Sequence, residues 1–579
     1  MSSTRNFVSK LKTKEALIAS MFLTLALLFA WVDGGAWSHR TGWDLVSYLD
    51  LGDAFLKGDW TSALNSYWSP LYGIAFALVH KPFENVTSEL ELLKFFNFCI
   101  FIMLALAFGF LVHALRRSLA KVDTASSMLL PENTFSIVLY TTFIYCSLTL
   151  CGIRYKTPDV MSALFVLCFF CLWQRSITKP ISVVRATFMG VLLGFCYFAK
   201  NSLVNWVALV ILSLFMTRKL TQITGKQLIA LTVATAVTVF SWAIPISINI
   251  GHFTLTDTLT VARSWMWTLS PGLKQVHGQG PTFKHPTREF FRNPDFYEFA
   301  TPFDVSYSPW YAPAYWFEGV PWKFSFPYYL QHLLEKIPQL LISYLGVLLF
   351  GFGSLWLIVR RSPFSKDRLL VCLPMILPSV AGLGALAAFF EHEGRYFIPY
   401  TLPLFAALFI CLKAPERESS KRAQILVVRL ITTYMVVCSL LSFTMQFYFF
   451  SPEFANSLKS ALKIELPPSP PFSPHEATIK ALKDLGLVAG DRVARISTLG
   501  HGEFYWIRGG KFKVVAECVD PTQFAQASPE RRQQLYEKLR QLGVKAIVED
   551  WVPDQEKYPT CKDPGWINVA GTRNWLYRL

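Results

Sequence analysis

Charge is scarce in this 579-residue chain: Asp, Glu, Lys and Arg supply 16% of it, where soluble domains carry about a quarter. Phosphate-cradling glycine loops are missing too, with neither a Walker A nor a dinucleotide fingerprint. No segment sets His and Cys at zinc-ligand spacing, so a metal would need oxygen ligands or histidines from distant loops. There is no convincing internal repeat, and the middles of most apolar runs hold no ionisable residue. Both features count against a transporter or lipid flippase, which pairs repeats with mid-membrane charges. Basic residues outnumber acidic ones 55 to 39, for a net charge of +16. They lie in short clusters between apolar runs and not along one polar face, which excludes nucleic acid as a partner.

What remains is apolar: 53% hydrophobic residues and a mean hydropathy of +0.35. A membrane-crossing helix needs roughly 20 predominantly apolar residues, set by a core about 30 Å thick and a rise of about 1.5 Å. On that scale spans are expected near 17–33, 94–115, 135–153, 159–174, 181–198, 202–217, 227–250, 337–359, 369–390, 396–412 and 424–450, about 11 in all. The chain reads as a polytopic α-helical membrane protein embedded in membrane lipid. The first span runs into Trp31 and Trp37 without a small-residue cleavage site, so it reads as an anchor and not as a cleaved signal.

Cations fix the expected orientation. They fall in alternate loops, from Arg5, Lys10, Lys12 and Lys14 through Arg116, Arg117 and Lys121 to Lys413, Arg417, Lys421 and Arg422. By the positive-inside rule these loops, and the amino terminus, are cytoplasmic. Three long segments then lie outside: 34–93, 251–336 and 451–579. No cytoplasmic loop exceeds about twenty residues, too few for a nucleotide-binding domain.

The expected organisation is a membrane domain over 1–450, a proline-rich linker over 451–474 around Pro467, Pro468, Pro470 and Pro471, and a small soluble α/β domain over 475–579. In that last part, helical spacing over 475–486 stops at Gly486, and 492–498 and 512–517 alternate as strands. Ser528-Pro529-Glu530 opens a helix that Gly543 ends, before a strand over 545–548. No catalytic constellation shows there, which favours a docking or structural role. Of the 11 cysteines, all but Cys518 and Cys561 fall in or at the ends of apolar spans, where thiols pack as small hydrophobes. In an oxidising compartment those two could pair or remain free.

Polar groups at the outer ends of spans are costly and tend to be functional. The first outer segment offers Gly42-Trp43-Asp44, Tyr48, Gly58-Asp59-Trp60 and Ser69-Pro70-Leu71-Tyr72, with amphipathic helices predicted over 46–57 and 71–81 whose apolar faces could lie along the membrane surface. Four cations stand in the short outer connections against the insertion bias: Arg154, Lys156, Lys200 and Arg395. With Lys156-Thr157-Pro158-Asp159 and Glu393-Gly394-Arg395-Tyr396, these motifs resemble the outer face of the GT-C glycosyltransferases, the class that includes aminoarabinose transferases and protein O-mannosyltransferases. The resemblance covers about residues 1–450 in layout. It departs where a single Asp44 replaces an Asp-Glu pair and Trp68-Ser69-Pro70 replaces a Pro-Pro.

The resemblance implies transfer of a sugar from a polyprenyl-phosphate-linked donor to a glycan, lipid or protein acceptor, at the outer face of a cell inner membrane. Such a donor joins an apolar tail, an anionic linkage and a sugar, and requires a cation for the phosphate and a carboxylate near the sugar. Asp44 is the expected general base of an inverting displacement; alternatively it caps the helix that follows. Asp159 is the second catalytic candidate, orienting the acceptor or supporting a divalent metal ion beside Asp44, with a capping role as its alternative. Arg395 and Lys200 are expected to take the donor phosphate; otherwise Arg395 pairs with Glu391 or Glu393. Tyr48, Glu393, Tyr396, His285 and Glu318 are the candidates for substrate contact, while the aromatic run through Tyr297, Tyr307, Trp310, Tyr311, Tyr315 and Trp316 reads as an interfacial belt. A non-catalytic envelope polysaccharide-binding protein is the remaining alternative. The three corners at Asp44, Asp159 and Arg395 should meet on one outer-facing cavity if the enzyme reading holds.

Overall fold

The computed structural model describes residues 2–36, 41, 43–84, 86–122, 130, 132–220, 222–258, 260–261, 287–299, 304–312, 315, 325–340, 366–388, 394–412, 417–450, 474–497, 505–550, 564–570, 572 and 574–579. Among them, eight helices are long and apolar enough to cross a membrane: Ala16–Gly35, Glu89–Ser118, Thr134–Cys151, Asp159–Ile177, Gly225–Ile250, Arg368–Leu386, Gly394–Cys411 and Glu418–Tyr448. Val183–Ala199 and Asn201–Thr217 are shorter apolar helices. Ten of the expected spans thus coincide with apolar helices, and the one near 337–359 falls largely outside the described residues. The chain is a multi-pass membrane protein of mainly helical architecture, with a small sheet near its C-terminus.

We number the helices α1 (Ser2–Ala36), α2 (Trp43–Lys57), α3 (Pro70–His80), α4 (Glu89–Val122), α5 (Glu132–Ile144), α6 (Asp159–Thr178), α7 (Val183–Ala199), α8 (Val204–Thr217), α9 (Gly225–Ile250), α10 (Lys366–Ala388), α11 (Ile398–Cys411) and α12 (Glu418–Phe450). Their ends are written in the sequence. Thr224 and Gln227 close a reciprocal capping box at the start of α9, Gly251 in the left-handed region ends it, and Ser182 caps α7 by accepting from the Arg185 backbone N–H. A wide π-turn over Tyr145–Cys151 extends α5 to the end of its span, a geometry frequent at functional sites.

The two helices of the first outer segment do more than lie on a surface. They cross so closely that a Cβ on Gly52 of α2 would stand 2.3 Å from the Gly73 carbonyl oxygen, and one on Gly73 of α3 would stand 2.1 Å from that of Tyr48. Only glycine permits this backbone approach. Leu45, Val46, Leu49 and Leu51 of α2, with Tyr72 and Phe76 of α3, are buried in the main core.

Among the described residues the sheet has seven strands, numbered in chain order, in the spatial order β1-β2-β4-β3-β5-β7-β6. Its parallel centre, β3 (Arg492–Ile496), β4 (Lys513–Cys518) and β5 (Val544–Glu549), comes from the tail, with α13 (Pro474–Asp484), α14 (Tyr505–Gly509) and α15 (Pro529–Gln541, capped by Ser528) between and around the strands. β6 (Trp566–Asn568) and β7 (Trp575–Arg578) complete one side. The other is completed from far upstream: β1 (Thr287–Phe291) and β2 (Phe296–Phe299) of the second outer segment form a hairpin that pairs with β4 through Tyr297 and Glu517. The belt reading therefore fails for several aromatic residues. Tyr307, Tyr311 and Tyr315 are buried inside protein, and the Tyr307 hydroxyl donates to Glu517 at 2.6 Å. Cys518 is a free, buried thiol, and Cys561 lies outside the described residues.

Two charges in the sheet are informative. Arg495, fully buried, reaches Glu517 at 2.9 Å and Asp550 at 2.8 Å, so its charge is compensated inside the domain. Glu549, 3% exposed, has one oxygen with no hydrogen-bond partner among the described residues, and burial followed by the charge of Asp550 raises its carboxyl to about 7. The native state then binds a proton that the unfolded chain has already lost, so this contribution to stability is present below the ordinary carboxyl range and lost as pH rises through about 7. Thermal unfolding of the tail should accordingly occur at lower temperature near pH 8 than near pH 5, and Glu549→Gln should flatten that slope. An unchanged slope in the variant would remove Glu549 from the account.

Candidate active site

Each expected catalytic corner sits where a helix begins or ends on one side of the helical layer. Asp44 is in the first turn of α2. Its Oδ2 accepts from Nη2 of Arg395 at 2.9 Å, across 351 residues of sequence. Arg395 lies in the short 3-10 turn Gly394–Phe397 that leads into α11. The same Nη2 donates to the Tyr396 hydroxyl at 3.0 Å.

Asp159 is the first residue of α6. The capping position before it is Pro158, and no side-chain cap bond forms. Instead its carboxylate faces sideways: one oxygen pairs with the Lys200 ammonium, and the other accepts from the Thr157 hydroxyl at 2.7 Å. Buried Lys156, at φ 52°, makes the left-handed turn that presents Thr157 and Asp159, a conformation that costs a non-glycine residue energy and tends to persist at functional sites. Lys200 caps the end of α7, opposite Asp159.

A third pair completes the row. Asp33, fully buried at the end of α1, accepts from the backbone N–H groups of Ile153 and Arg154 at 2.6 and 3.1 Å and from the Arg154 guanidinium at 2.5 Å. Tyrosine rings stand between the cations. Arg154 lies 4.9 Å from the Tyr155 centroid, and Arg395 lies 5.4 Å from the same ring. Arg395 is also 4.8 Å, and Lys200 4.0 Å, from the Tyr396 centroid. Three cations thus alternate with two rings, and each cation has a carboxylate behind it. A ring face near a partly desolvated cation is worth about 0.5–2 kcal/mol, enough to keep the row ordered without neutralising it.

Tyr48, one turn beyond Asp44, closes the site from α2. It packs edge-on against Trp68 and Tyr72, with centroids at 5.1 and 5.7 Å. Burial, then the charges of Asp44 and Asp159, raises its hydroxyl well above the ordinary value, against a smaller pull from Arg395. Tyr48 is therefore held neutral, and the Tyr396 ring shared by Arg395 and Lys200 joins the two ion pairs into one cluster. The side chains of Asp44, Lys200 and Arg395 remain 18%, 15% and 9% exposed, so the cluster is not sealed inside the protein.

Of the sequence candidates, Asp44, Tyr48, Asp159, Lys200, Arg395 and Tyr396 come together. Glu393, His285 and Glu318 lie outside the described residues, as does Glu391. Arg395 pairs with Asp44, across the site. Sequence reading missed Asp33 and Tyr155. Asp33 carried a usable signal, an acid at the very end of an apolar span.

The cluster is a poor fit to a divalent cation. Asp44 and Asp159 already answer one cation side chain each, which leaves little net negative charge, and among the described residues no group of three or more His, Cys, Asp or Glu is arranged to hold a metal ion. A cavity of about 920 Å³ lies elsewhere, lined by Asp50 and Asp53 of α2, His80, Glu89 and Arg508, and does not include Asp44.

No family model and no curated protein matches the chain. Among solved structures it is similar to ArnT from Cupriavidus metallidurans bound to undecaprenyl phosphate, at 13% identity over 96% of this chain and 97% of that one, with a TM-score of 0.45. The apo state of the same protein gives 12% identity, the same coverage and a TM-score of 0.47. The oligosaccharyltransferase AglB from Archaeoglobus fulgidus, in complex with an inhibitory peptide and a dolichol-phosphate, gives 12% identity over 92% of this chain and 69% of that one, with a TM-score of 0.36. Both are GT-C superfamily membrane glycosyltransferases. Likeness at this level concerns the arrangement of elements along the chain and says nothing of residue roles.

Proposed function

We propose that this chain is a membrane glycosyltransferase that moves a sugar from a polyprenyl-phosphate-linked donor to an acceptor hydroxyl, with inversion, at the outer face of the cytoplasmic membrane. The observation that carries the reading is the Asp44–Arg395 pair, set beside Asp159–Lys200 by segments remote in sequence. A lone structural salt bridge would not call for a second cation sharing the same tyrosine ring.

The chemistry follows from the donor. Its phosphate is the leaving group, so negative charge grows on the bridging oxygen as the bond from the anomeric carbon breaks. Arg395 and Lys200 stabilise that charge, the first through a planar fork suited to phosphate. In the free state Asp44 occupies the fork. Donor phosphate takes its place on Arg395, and the released Asp44 carboxylate accepts the proton of the acceptor hydroxyl while that oxygen attacks the anomeric carbon from the opposite face. The bond-forming pair comes from the hydroxyl, the bond-breaking pair leaves with the phosphate, and the proton ends on Asp44. Tyr48, held neutral, donates to the sugar or the acceptor. Tyr155 and Tyr396 keep the cations aligned. Asp159 holds Lys200 toward the donor and releases it as the phosphate enters.

Lipid-linked sugars extracted from cells with and without the protein test the reading by mass spectrometry. One polyprenyl-phosphate-linked sugar should accumulate when the protein is missing, and its glycosylated acceptor should disappear. Identical pools in the two strains would end the proposal.

A further inference from the structure

Among the described residues, the tail grips α2 through Arg508, beside a His475–Thr41 hydrogen bond of 2.9 Å just before that helix. Arg508, in α14, is 9% exposed and fully engaged. Its Nη1 meets Asp50 at 2.7 Å, its Nη2 meets Asp53 at 3.0 Å and Glu89 at 2.5 Å, and its Nε also donates to Glu89. Asp50 and Asp53 belong to α2, and Glu89 opens α4. Supporting bonds surround this grip: the Ser306 backbone N–H and hydroxyl both donate to Asp50 at 2.9 Å, the Tyr505 hydroxyl donates to Glu89 at 2.9 Å, and His80 stands 4.0 Å from Glu89.

Helical geometry tells which way the grip acts. At about 100° per residue, Asp53 lies about 180° and Asp50 about 240° around α2 from Asp44, while Tyr48 lies about 40° away on the Asp44 side. Arg508 therefore holds the face of α2 turned away from the chemistry. The helix has only 15 residues and is fixed on another side by the Gly52–Gly73 crossing. That crossing resists translation toward α3, and the buried Leu45, Val46, Leu49 and Leu51 seat the helix in the core; apolar contacts and a smooth glycine crossing are less directional against rotation about the helix axis than charged hydrogen bonds. A fork bonded to two carboxylates one turn apart does resist rotation.

We infer that Arg508 is a positioning residue for transfer, fixing the rotation of α2 so that Asp44 and Tyr48 meet the donor; this rests on the proposed transferase reading. The tail is then part of the catalytic apparatus without touching substrate. Misplacement of a base by a fraction of a side-chain length costs rate far more than affinity, because Arg395 and Lys200, which face the phosphate, stand in the turn before α11 and at the end of α7 and not on α2.

The test uses full-length protein in lipid nanodiscs supplied with the total polyprenyl-phosphate-linked sugars extracted from the same cells. Two variants separate positioning from folding. Arg508→Lys keeps the charge and loses the fork. The triple variant Asp50→Asn, Glu89→Gln, Arg508→Met leaves no buried charge uncompensated at this place. Hydrogen exchange of the 43–57 amides should quicken by about 10-fold in both, with peptides of α6 and α11 unchanged. The maximal transfer rate should fall by about 10-fold or more, with half-saturation for the lipid-linked pool within about twofold of the parent. Unchanged exchange in α2, or quickened exchange with transfer intact, overturns the inference. A parent protein that transfers nothing, while α2 exchange still follows Arg508, overturns the transferase reading and leaves the grip on α2 supported.

Discussion

Asp44→Asn is expected to lower the maximal transfer rate by about 10²–10⁴-fold, the usual contribution of a positioned general base, without loss of fold. The amide has the carboxylate's shape, and its oxygen still accepts from Arg395, so packing around Tyr48 and Tyr396 is preserved. What disappears is the capacity to take a proton at neutral pH. Half-saturation for the donor should stay level or fall, because Arg395 no longer has to leave an ionised partner before it meets phosphate. The substitution also separates the two readings of this aspartate. Asn caps a helix about as well as Asp, so a residue that merely capped α2 would tolerate the change. A flippase or a polysaccharide-binding protein would be equally indifferent. Steady-state kinetics on purified variant and parent decide the matter, and transfer retained within a few-fold would remove Asp44 as base.

Arg395→Ala should reduce the catalytic efficiency by about 10²–10³-fold, the cost of removing one donor that stabilises charge developing in the transition state. Two losses add here. The leaving phosphate loses its fork, and Asp44 loses the cation that holds it between turns of the cycle. Arg395→Lys should recover only part, because the site uses planarity: the guanidinium sits between the Tyr155 and Tyr396 rings, 5.4 and 4.8 Å from their centroids, while Nη2 serves Asp44 and Tyr396 together. A compact ammonium would satisfy the charge and leave one ring empty. Efficiency measured for both variants against the lipid-linked donor checks this, and a fully active lysine variant would show that only charge matters.

The long apolar runs declared themselves because the bilayer demands their length, and the tail's strands and helices because Ser528, Gly486 and Gly543 punctuate them. The cluster was legible for a related reason. A cation such as Arg395 or Lys200 in an outer turn goes against the insertion bias, so its presence asks for a partner. The partners themselves were hidden. Nothing in the neighbourhood of Arg395 points to Asp44, since the two meet only after the chain has folded back across 351 residues. The nearby acids Glu391 and Glu393, the partners that sequence alone offers, lie outside the described residues. Tyr155 was invisible for the opposite reason: one tyrosine among 22 carries no mark until a guanidinium lies over it. The same holds for the aromatic run of the second outer segment. Interfacial and buried tyrosines look alike in a sequence, and only the folded chain distinguishes them, by the burial of Tyr311 and Tyr315 and by the pairing of Tyr307 with Glu517.

The hairpin that joins the sheet from residues 287–299 means that the tail is not an independent module appended to the helical part of the chain. Expressed by itself, the final hundred or so residues would present β4 bare, its main-chain donors and acceptors seeking any passing strand, and would be prone to clump. The edge of β4 is therefore completed by a stretch more than two hundred residues upstream, so a cut between the two parts would open the sheet on that side.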